Sequence, residues 1–220
     1  FLLNSVTYKE KRAQSAMPIK VVGVLLAGGR SHRMGGGDKC LSKLGGRTLL
    51  SRVIERAKDQ VGPMVLNANG DPTRFSSYGL PVAADVIAGF SGPLAGVLTG
   101  LDWAAKHAPG CQYVATFATD APFFPNDLVK KLHNLIQSGA MLACATSNGR
   151  HHPVFGLWPV CERSALRDAM TEDHIRKVDV WTSRYKLGIV DFPIHPVDPF
   201  FNLNTPEDMA CAEDFLTRIE

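Results

Sequence analysis

The sequence predicts an α/β fold with a mostly parallel central sheet covered by helices. Three observations lead to this prediction. Short apolar runs alternate with helical patterns along most of the chain, and this order of elements is typical of a parallel sheet. The first run, residues 19–27, is rich in β-branched residues and leucine, as expected of a strand buried on both faces. A glycine-rich loop follows it directly, at the edge of the sheet where ligands bind in such folds.

Strands and helices account for most of the chain. The predicted strands, in order, are residues 19–27, 64–68, 80–85, 111–120, 141–146, 153–158 and 186–192. The predicted helices are residues 48–60, 92–107, 125–139, 160–170, 174–185 and 204–219. With no internal repeat or clear linker, these elements predict one Rossmann-like domain in three layers.

Local signals mark the ends of three of these helices. Pro93 lies near the start of the second helix, where a missing N–H costs little. Gly139 closes the third helix. In the last helix, Thr205 is the expected N-cap, Pro206 the first helical residue and Asp208 the partner in a capping box.

Composition excludes several classes of protein. The 220 residues carry a formal net charge of +3, well short of the clustered basic charge of a dedicated nucleic-acid binder. No apolar stretch approaches the ~20 residues of a membrane span, so no membrane partner is expected. The five cysteines are odd in number and widely spaced, which favours reduced thiols in a cytoplasmic protein. Residues 1–16 differ from the rest and are expected to be a tag or upstream extension, so that residues 17–220 form the domain.

The loop LLAGGRSHRMGGGDKCL, residues 25–41, is dense in glycine and carries the cations Arg33 and Lys39. Backbone N–H groups in such a loop can surround an anion, so the loop predicts a phosphate site. The P-loop pattern fits it poorly, because Lys39 follows Asp38 rather than glycine and precedes Cys40 rather than the serine or threonine that meets magnesium. It also departs from the dinucleotide-binding fingerprint, which needs an acid at the tip of the second strand, where this chain carries Asn67.

The longer motif LLAGGRSHRMGGGDKCLSKLGGRTLL resembles the signature of the nucleotidyltransferases that activate sugars and cofactors. The resemblance is most specific to the bacterial molybdenum cofactor guanylyltransferases, a MobA-like family that joins GMP to molybdopterin, and it covers residues 19–220. Further segments match in order along the chain, namely VLNAN (65–69), ADVIAGFSGPLAG (84–96), ATDAPFFPNDL (118–128), HHPVFGLW (151–158) and FNLNTPED (201–208). The chain departs from the pattern mildly, at Cys40, where a small residue is common, and in ATDAP, which is less rich in cysteine than the family's version. No chemistry is expected of the positions that differ.

The resemblance implies transfer of GMP from GTP to the terminal phosphate of molybdopterin (Mo-molybdopterin), with release of pyrophosphate and with Mg²⁺ as cofactor. The product would be the guanine dinucleotide form of the molybdenum cofactor. The acceptor's own phosphate would attack, so positioning and charge stabilisation matter more than a nucleophilic side chain. Arg33 and Lys39 would offset the charge of the leaving pyrophosphate, and Asp120, at the end of a buried strand, would hold the metal. The implied partners are GTP, molybdopterin, molybdopterin-handling proteins and molybdoenzyme chaperones, with no nucleic acid.

The same resemblance assigns binding residues. Those expected to contact the nucleotide are Leu26, Ala27, Gly28, Gly29, Lys39, Asn67, Asp85 and Asp120. Among them, Asn67 and Asp85 would contact the base or the ribose. A carboxylate suits guanine, because that base offers N1–H and an amino group as donors. On the pterin side the resemblance places His152, Asn202 and Asn204.

Other interpretations of these residues stay open on sequence alone. Asp120 could cap the helix that follows it, Asp85 could be a surface turn residue, and Asn204 could serve only the cap of the last helix. His152 could be a strand-entry residue before Pro153. For the whole protein, the alternatives are a nucleotidyltransferase that uses CTP or a sugar phosphate, and a non-catalytic nucleotide-binding adaptor. The charged residues of the motif argue against the adaptor, since a binder could lose the metal carboxylate.

Overall fold

The computed structural model of the protein describes residues 20–28, 38–89 and 92–219. Residues 1–16, which the sequence places outside the domain, lie outside these ranges. So do Gly29 and Arg33 of the glycine-rich loop. Every other candidate site residue named above lies within them.

A central sheet organises the described part of the chain. Its strands are β1 (Val21–Leu26), β4 (Met64–Asn67), β5 (Val82–Ala83), β6 (Tyr113–Ala118), β7 (Leu142–Ser147), β8 (Arg150–Pro159) and β9 (Leu187–Asp191). A separate hairpin consists of β2 (Lys43–Leu44) and β3 (Arg47–Thr48). The strands of the sheet lie in the order β5-β4-β1-β6-β8-β7-β9. Neighbours run parallel except at β8, which is antiparallel to both β6 and β7, so the mostly parallel sheet is confirmed.

Helices cover both faces of this sheet. They are α1 (Leu49–Ala57), α2 (Pro93–His107), α3 (Leu128–Gln137), α4 (Arg163–Thr171), α5 (Val178–Thr182) and α6 (Pro206–Ile219). One face packs against α1 and α3 in a core that includes Leu25 and Phe117. The other face packs against α2, α4 and α5 in a core that includes Val24 and Trp158. The predicted three layers are therefore confirmed.

Two helices show why these sequences fold this way. In α1 the buried residues Leu49, Leu50, Val53 and Ala57 fall on one side at helical spacing, and polar residues take the other side. The C-terminal α6 buries Ala212 and Leu216 in a smaller core that it shares with the hairpin. No helix of the three described ranges is both long and apolar enough to cross a membrane.

The central strand β1 is buried on both faces, as predicted from its continuous apolar sequence. Helix α2 approaches it closely at two glycines. A Cβ atom on Gly100 would lie 2.4 Å from Val24, and one on Gly96 would lie 2.5 Å from Asn67 Oδ1 and from Leu26. Only glycine permits this approach, which sets the first turns of α2 against the carboxyl ends of β1 and β4.

The helix predicted for residues 174–185 is too long at both ends. Only Val178–Thr182 is helical. His174 adopts a left-handed backbone with φ of 55°, and the N–H of Ile175 donates to the carbonyl of Ala169 at 3.0 Å. The chain therefore turns at the end of α4 before a new helix can begin.

Other differences concern short elements. The strand predicted for residues 80–85 contains only Val82–Ala83, so Asp85 lies in the loop beyond it. Short 3-10 helices at Lys39–Leu41 and Pro72–Tyr78 were not predicted, and neither was the β2–β3 hairpin. Such short segments lack the repeated apolar spacing from which longer elements are recognised.

All five cysteines lie in the described ranges and are free. Burial raises the pKa of Cys40 to about 12 and that of Cys144 to about 11, because a thiolate is poorly solvated in an apolar interior. Both thiols therefore stay protonated and unreactive near neutral pH.

Candidate functional site

A cavity of about 400 Å³ opens at the carboxyl ends of β1, β4 and β6. Its lining residues are Leu26, Ala27, Gly28, Lys39, Cys40, Asn67, Asn69, Asp85, Gly92, Pro93, Ala118, Thr119, Asp120, Val154 and Asn202. The cavity thus brings together every predicted nucleotide-binding residue that the structure describes, together with Asn202 of the predicted pterin side. Its location is the one expected of a ligand site in a parallel α/β sheet.

One end of the cavity holds a carboxylate between two amides. Asp85 Oδ1 accepts a hydrogen bond from Asn67 Nδ2 at 2.9 Å, and Asp85 Oδ2 accepts one from Asn69 Nδ2 at 2.7 Å. The backbone N–H of Asp85 donates to Asn69 Oδ1 at 2.8 Å. We call these three side chains the amide–carboxylate cluster. Asp85 is therefore not a free surface turn residue, because both of its carboxylate oxygens have fixed partners.

Hydrogen bonds connect the amide–carboxylate cluster to the elements around it. Asn67 is only 4% exposed, and its Nδ2 also donates to the carbonyl of Ala83 at 3.2 Å. Just beyond Asp85, the N–H of Val86 donates to Thr99 Oγ1 of α2 at 3.1 Å. Strand β4, the loop after β5 and helix α2 thus hold the carboxylate in one place.

The other end of the cavity is a charged centre. Lys39 Nζ lies 2.7 Å from Asp120 Oδ2 and 2.6 Å from Asn204 Oδ1. The lysine side chain is 12% exposed and the Asp120 side chain 29%, so this ion pair is partly shielded from water. The N–H of Leu203 donates to the Asp120 carbonyl at 2.8 Å, which joins the segment before α6 to the end of β6. Helix α3 begins only at Leu128, so Asp120 is not its cap.

The donor set of this centre fits a magnesium ion. The Lys39 ammonium already lies between a carboxylate oxygen and an amide oxygen, which are hard ligands of the kind that Mg²⁺ prefers. Among the described residues there is no group of three or more histidine, cysteine, aspartate or glutamate side chains that could enclose a metal. A magnesium ion here would therefore take most of its ligands from phosphates and water, which is how it binds in many nucleotide enzymes.

Arg74 connects Asp38, near the C-terminal end of the glycine-rich loop, to the amide–carboxylate cluster. The Arg74 guanidinium forms an ion pair with Asp38 and also donates to the carbonyl of Asn69 at 2.6 Å. Its carbon Cζ lies 4.4 Å from the centre of the Phe75 ring. Arg74 could not be predicted from the sequence, because a lone arginine outside any motif carries no signal of its own. Asn69 could have been found, since it lies two residues after Asn67 in VLNAN and would point to the same side of an extended chain.

The residues expected on the pterin side take different positions. Asn202 lines the cavity and Asn204 binds Lys39, whereas His152 lies behind the cavity and is 7% exposed. Its Nε2 lies 2.8 Å from Ser147 Oγ, which donates to Asp198 Oδ1 at 3.0 Å, so Nε2 is the protonated nitrogen. Desolvation lowers the pKa of His152, although Asp198 opposes that shift.

The contacts of His152 make it a support for the segment that carries the two asparagines. Its ring stacks on Phe200, with 4.6 Å between ring centres, and the N–H of Phe200 donates to Asp198 Oδ1 at 3.0 Å. His152 thus contacts Phe200 directly and Asp198 through Ser147, just before the two asparagines in the chain. Two residues along β8, Val154 reaches the cavity itself.

Known proteins match both the sequence and the fold. A family model for the MobA-like NTP transferase domain matches residues 23–184. The molybdenum cofactor guanylyltransferase of Rhodopseudomonas palustris strain HaA2 is 51% identical over 208 residues, which are 94% of this chain and 97% of that protein. The protein of the same name from Bradyrhizobium sp. strain ORS 278 is 52% identical over 200 residues, which are 90% of this chain and 94% of that one.

A solved structure shares the architecture. The crystal structure of molybdopterin-guanine dinucleotide biosynthesis protein A from Archaeoglobus fulgidus has a TM-score of 0.69 to this chain at 22% identity. The match covers 90% of this chain and 99% of that one, so the two share the fold over most of this chain. Together with the sequence matches, this confirms the resemblance seen in the motifs: the chain belongs to the MobA-like NTP transferase family, alongside the bacterial molybdenum cofactor guanylyltransferases.

Proposed function

We propose that the protein transfers the GMP group of GTP to the terminal phosphate of molybdopterin in its molybdenum-bound form (Mo-molybdopterin) and releases pyrophosphate. The product is the guanine dinucleotide form of the molybdenum cofactor. The observation that carries the proposal is the pairing, in one cavity, of a held carboxylate at Asp85 with a charged centre at Lys39 and Asp120. Relatives that are 51% and 53% identical and carry the name molybdenum cofactor guanylyltransferase support it.

Guanine is the base that the amide–carboxylate cluster suits. Each oxygen of Asp85 receives one amide donor, which leaves acceptor capacity on both oxygens for a ligand. Guanine presents two adjacent donors, N1–H and the 2-amino group. Adenine and cytosine present a donor beside an acceptor, and that acceptor would lie against the carboxylate and be left unpaired.

At the charged centre, the chain's own residues position and neutralise phosphates. An oxygen of the molybdopterin phosphate would attack the α-phosphorus of GTP, and the bond to the β-phosphate would break with pyrophosphate leaving. Lys39 and Arg33 would stabilise the negative charge that grows on that leaving group. Backbone N–H groups at Gly28 and Gly29 would contact the nucleotide phosphates.

Asp120 would hold Mg²⁺, with the Asn204 amide oxygen beside it. A metal ion at this position supplies charge neutralisation between the nucleotide and acceptor phosphates when it is bound. Lys39 would then exchange its contact with Asp120 for a contact with phosphate. The pterin would lie toward Asn202 and Asn204, over the segment that His152 supports.

We also propose where the reaction takes place and which proteins exchange its substrate and product. In the cytoplasm, a molybdopterin-handling protein would deliver the pterin and a molybdoenzyme chaperone would receive the dinucleotide.

A direct assay tests this proposal. The protein is incubated with molybdopterin and with GTP, CTP or ATP over a magnesium titration, and pyrophosphate release and the dinucleotide product are measured. We expect turnover with GTP that requires the metal, and a rate at least about a hundredfold lower for Asp120→Asn, as expected of a lost metal contact. The matched control is Asp127→Asn, the same change at a carboxylate that is 51% exposed.

Three results would contradict the proposal. A wild-type rate that is the same without any divalent metal, or an Asp120→Asn variant that keeps its rate, would each remove the role given to Asp120. The third is turnover with CTP rather than GTP, which would leave only the broader nucleotidyltransferase activity.

A further inference from the structure

We propose that Asn69 is a positioning residue that sets the protein's preference for guanine by holding the Asp85 carboxylate in a single orientation. The inference rests on the proposed function and goes beyond it, because it assigns base discrimination to a residue that acts through another. Asn69 lines the rim of the cavity, and its side-chain amide is bonded at both ends to Asp85.

The two bonds between Asn69 and Asp85 form a closed ring. Asn69 Oδ1 accepts the Asp85 backbone N–H at 2.8 Å, and Asn69 Nδ2 donates to Asp85 Oδ2 at 2.7 Å. A flipped amide would place its NH₂ against the N–H and its oxygen against the carboxylate. Both contacts would then be repulsive, so only one amide orientation fits.

The two asparagines have separate tasks. The buried Asn67 divides its Nδ2 between the Ala83 carbonyl and Asp85 Oδ1, and so secures one oxygen of the carboxylate. Rotation about the bond between Cβ and Cγ of an aspartate is soft, and one hydrogen bond to one oxygen does not stop it. The bond from Asn69 to the second oxygen is what fixes the plane of the carboxylate.

The backbone of Asn69 is itself held. Its carbonyl accepts from Arg74 at 2.6 Å, and the following Gly70 adopts a left-handed backbone with φ of 85°. The amide is therefore presented from a defined turn rather than from an unconstrained loop. A carboxylate oriented in this way can accept both guanine donors at once.

This arrangement predicts a specific pattern of nucleotide affinities. Inosine triphosphate keeps N1–H but lacks the 2-amino group, so it loses one bond to Asp85. With the carboxylate oriented, that loss should weaken binding about tenfold relative to GTP. In Asn69→Ala the carboxylate can rotate, and the ratio of the two dissociation constants should fall by about fivefold, mostly through weaker GTP binding.

The substitution Asn69→Asp gives a sharper test. At neutral pH it sets a carboxylate against Asp85, and the like charges repel. When the introduced carboxyl takes up a proton, it can donate to Asp85 Oδ2 while its other oxygen accepts the Asp85 N–H, which rebuilds the ring. Like-charge repulsion raises the pKa of such a pair, so selectivity for GTP over inosine triphosphate should recover as the pH falls from about 8 to about 5.5.

The experiment measures dissociation constants of Mg–GTP, Mg–inosine triphosphate and Mg–ATP by calorimetry, for wild type, Asn69→Ala, Asn69→Asp and the control Asn134→Ala. Asn134 is an exposed asparagine on α3 and is not among the residues that line the cavity. We expect the control to match wild type at every pH, and Asn69→Asp alone to gain selectivity as the pH falls. A merely structural role for Asn69 would not produce that recovery.

The outcomes separate this inference from the proposed function. If wild type prefers GTP and both Asn69 variants keep the wild-type ratio, Asn69 does not orient Asp85 and the inference is overturned while the proposed function stands. If wild type itself fails to prefer guanine nucleotides, the proposed function fails and the inference fails with it. If Asn69→Ala does not fold, the pH profile of Asn69→Asp decides, and a flat profile overturns the inference.

Discussion

Lys39 occupies the position in which a metal ion is expected. Its ammonium bridges Asp120 Oδ2 and Asn204 Oδ1 at 2.7 and 2.6 Å, and so neutralises the carboxylate. The same cation would be needed later at the phosphates. Under the proposed function this single side chain would have two tasks, at different stages of one reaction.

The substitution Lys39→Met separates those tasks. We expect the transition state to lose about 2–4 kcal/mol of stabilisation, as when other preorganised donors are removed. We also expect the ligand-free variant to bind Mg²⁺ more tightly than wild type, because Asp120 has lost its cation. Pyrophosphate release measures the first effect, and titration with Mg²⁺ in the absence of nucleotide measures the second.

The exposed Lys43 on β2 provides the matched control, Lys43→Met, for which neither quantity should change. Weaker metal binding in Lys39→Met would contradict the view that the ammonium and the metal compete for one place.

Among the elements, helix α6 has a first turn that both stabilises the helix and holds a residue of the site. Thr205 Oγ1 accepts the Asp208 N–H at 3.1 Å, and Asp208 Oδ2 accepts the N–H groups of Asn204 and Thr205 at 2.8 and 2.9 Å. The predicted capping box is confirmed, and it also holds the backbone of Asn204. Asn204 does not serve only this cap, because its side chain also contacts Lys39.

We expect Thr205→Ala to lower the free energy of unfolding by about 1 kcal/mol, the usual cost of a lost N-cap. Urea denaturation followed by far-UV circular dichroism measures this. Thr217→Ala, near the other end of the same helix, removes an exposed hydroxyl and should leave stability almost unchanged. Equal stability of the two variants would mean that the capping box contributes nothing to the fold.

The elements also show which features a single sequence can predict. Long elements such as β1 and α2 were predicted close to their observed bounds, because many residues contribute to one periodic signal. The segment Pro72–Tyr78 was missed, and with it Arg74, whose partners Asp38 and Asn69 come from other parts of the chain. Contacts of this kind depend on tertiary structure, which no local pattern encodes.

For the whole molecule, the order of strands explains why distant motifs form one site. Strands β4, β1 and β6 are adjacent and parallel, so their carboxyl ends place Asn67, Ala27 and Asp120 around a single cavity. The sequence motifs predicted most of these lining residues. They could not predict that His152 would lie behind the cavity, since that depends on how β8 pairs antiparallel with β7 and how Phe200 covers the ring.

Ligand binding should therefore stabilise the molecule as a unit. At a concentration of 100 times its dissociation constant, a ligand that binds only the folded state adds about 2.7 kcal/mol of stability. In a chain of this size, each kcal/mol of added stability raises Tm by about 2–4 °C. With Mg²⁺ present, we expect GTP to raise Tm by about 5–10 °C, and ATP and CTP at the same concentration to raise it much less.

The preference should depend on Asp85. Asp85→Asn replaces one acceptor oxygen with an NH₂ group, and in either orientation that group would face an amide donor from Asn67 or Asn69. The variant should keep its ligand-free Tm within a few degrees but lose most of the additional shift that GTP produces over ATP. Thermal shift with the three nucleotides, each variant compared with its own ligand-free state, makes the measurement. Equal shifts in the Tm of wild type for all three nucleotides would show that the cluster does not discriminate bases. A GTP-specific shift that survives in Asp85→Asn would show that other residues of the cavity recognise the base.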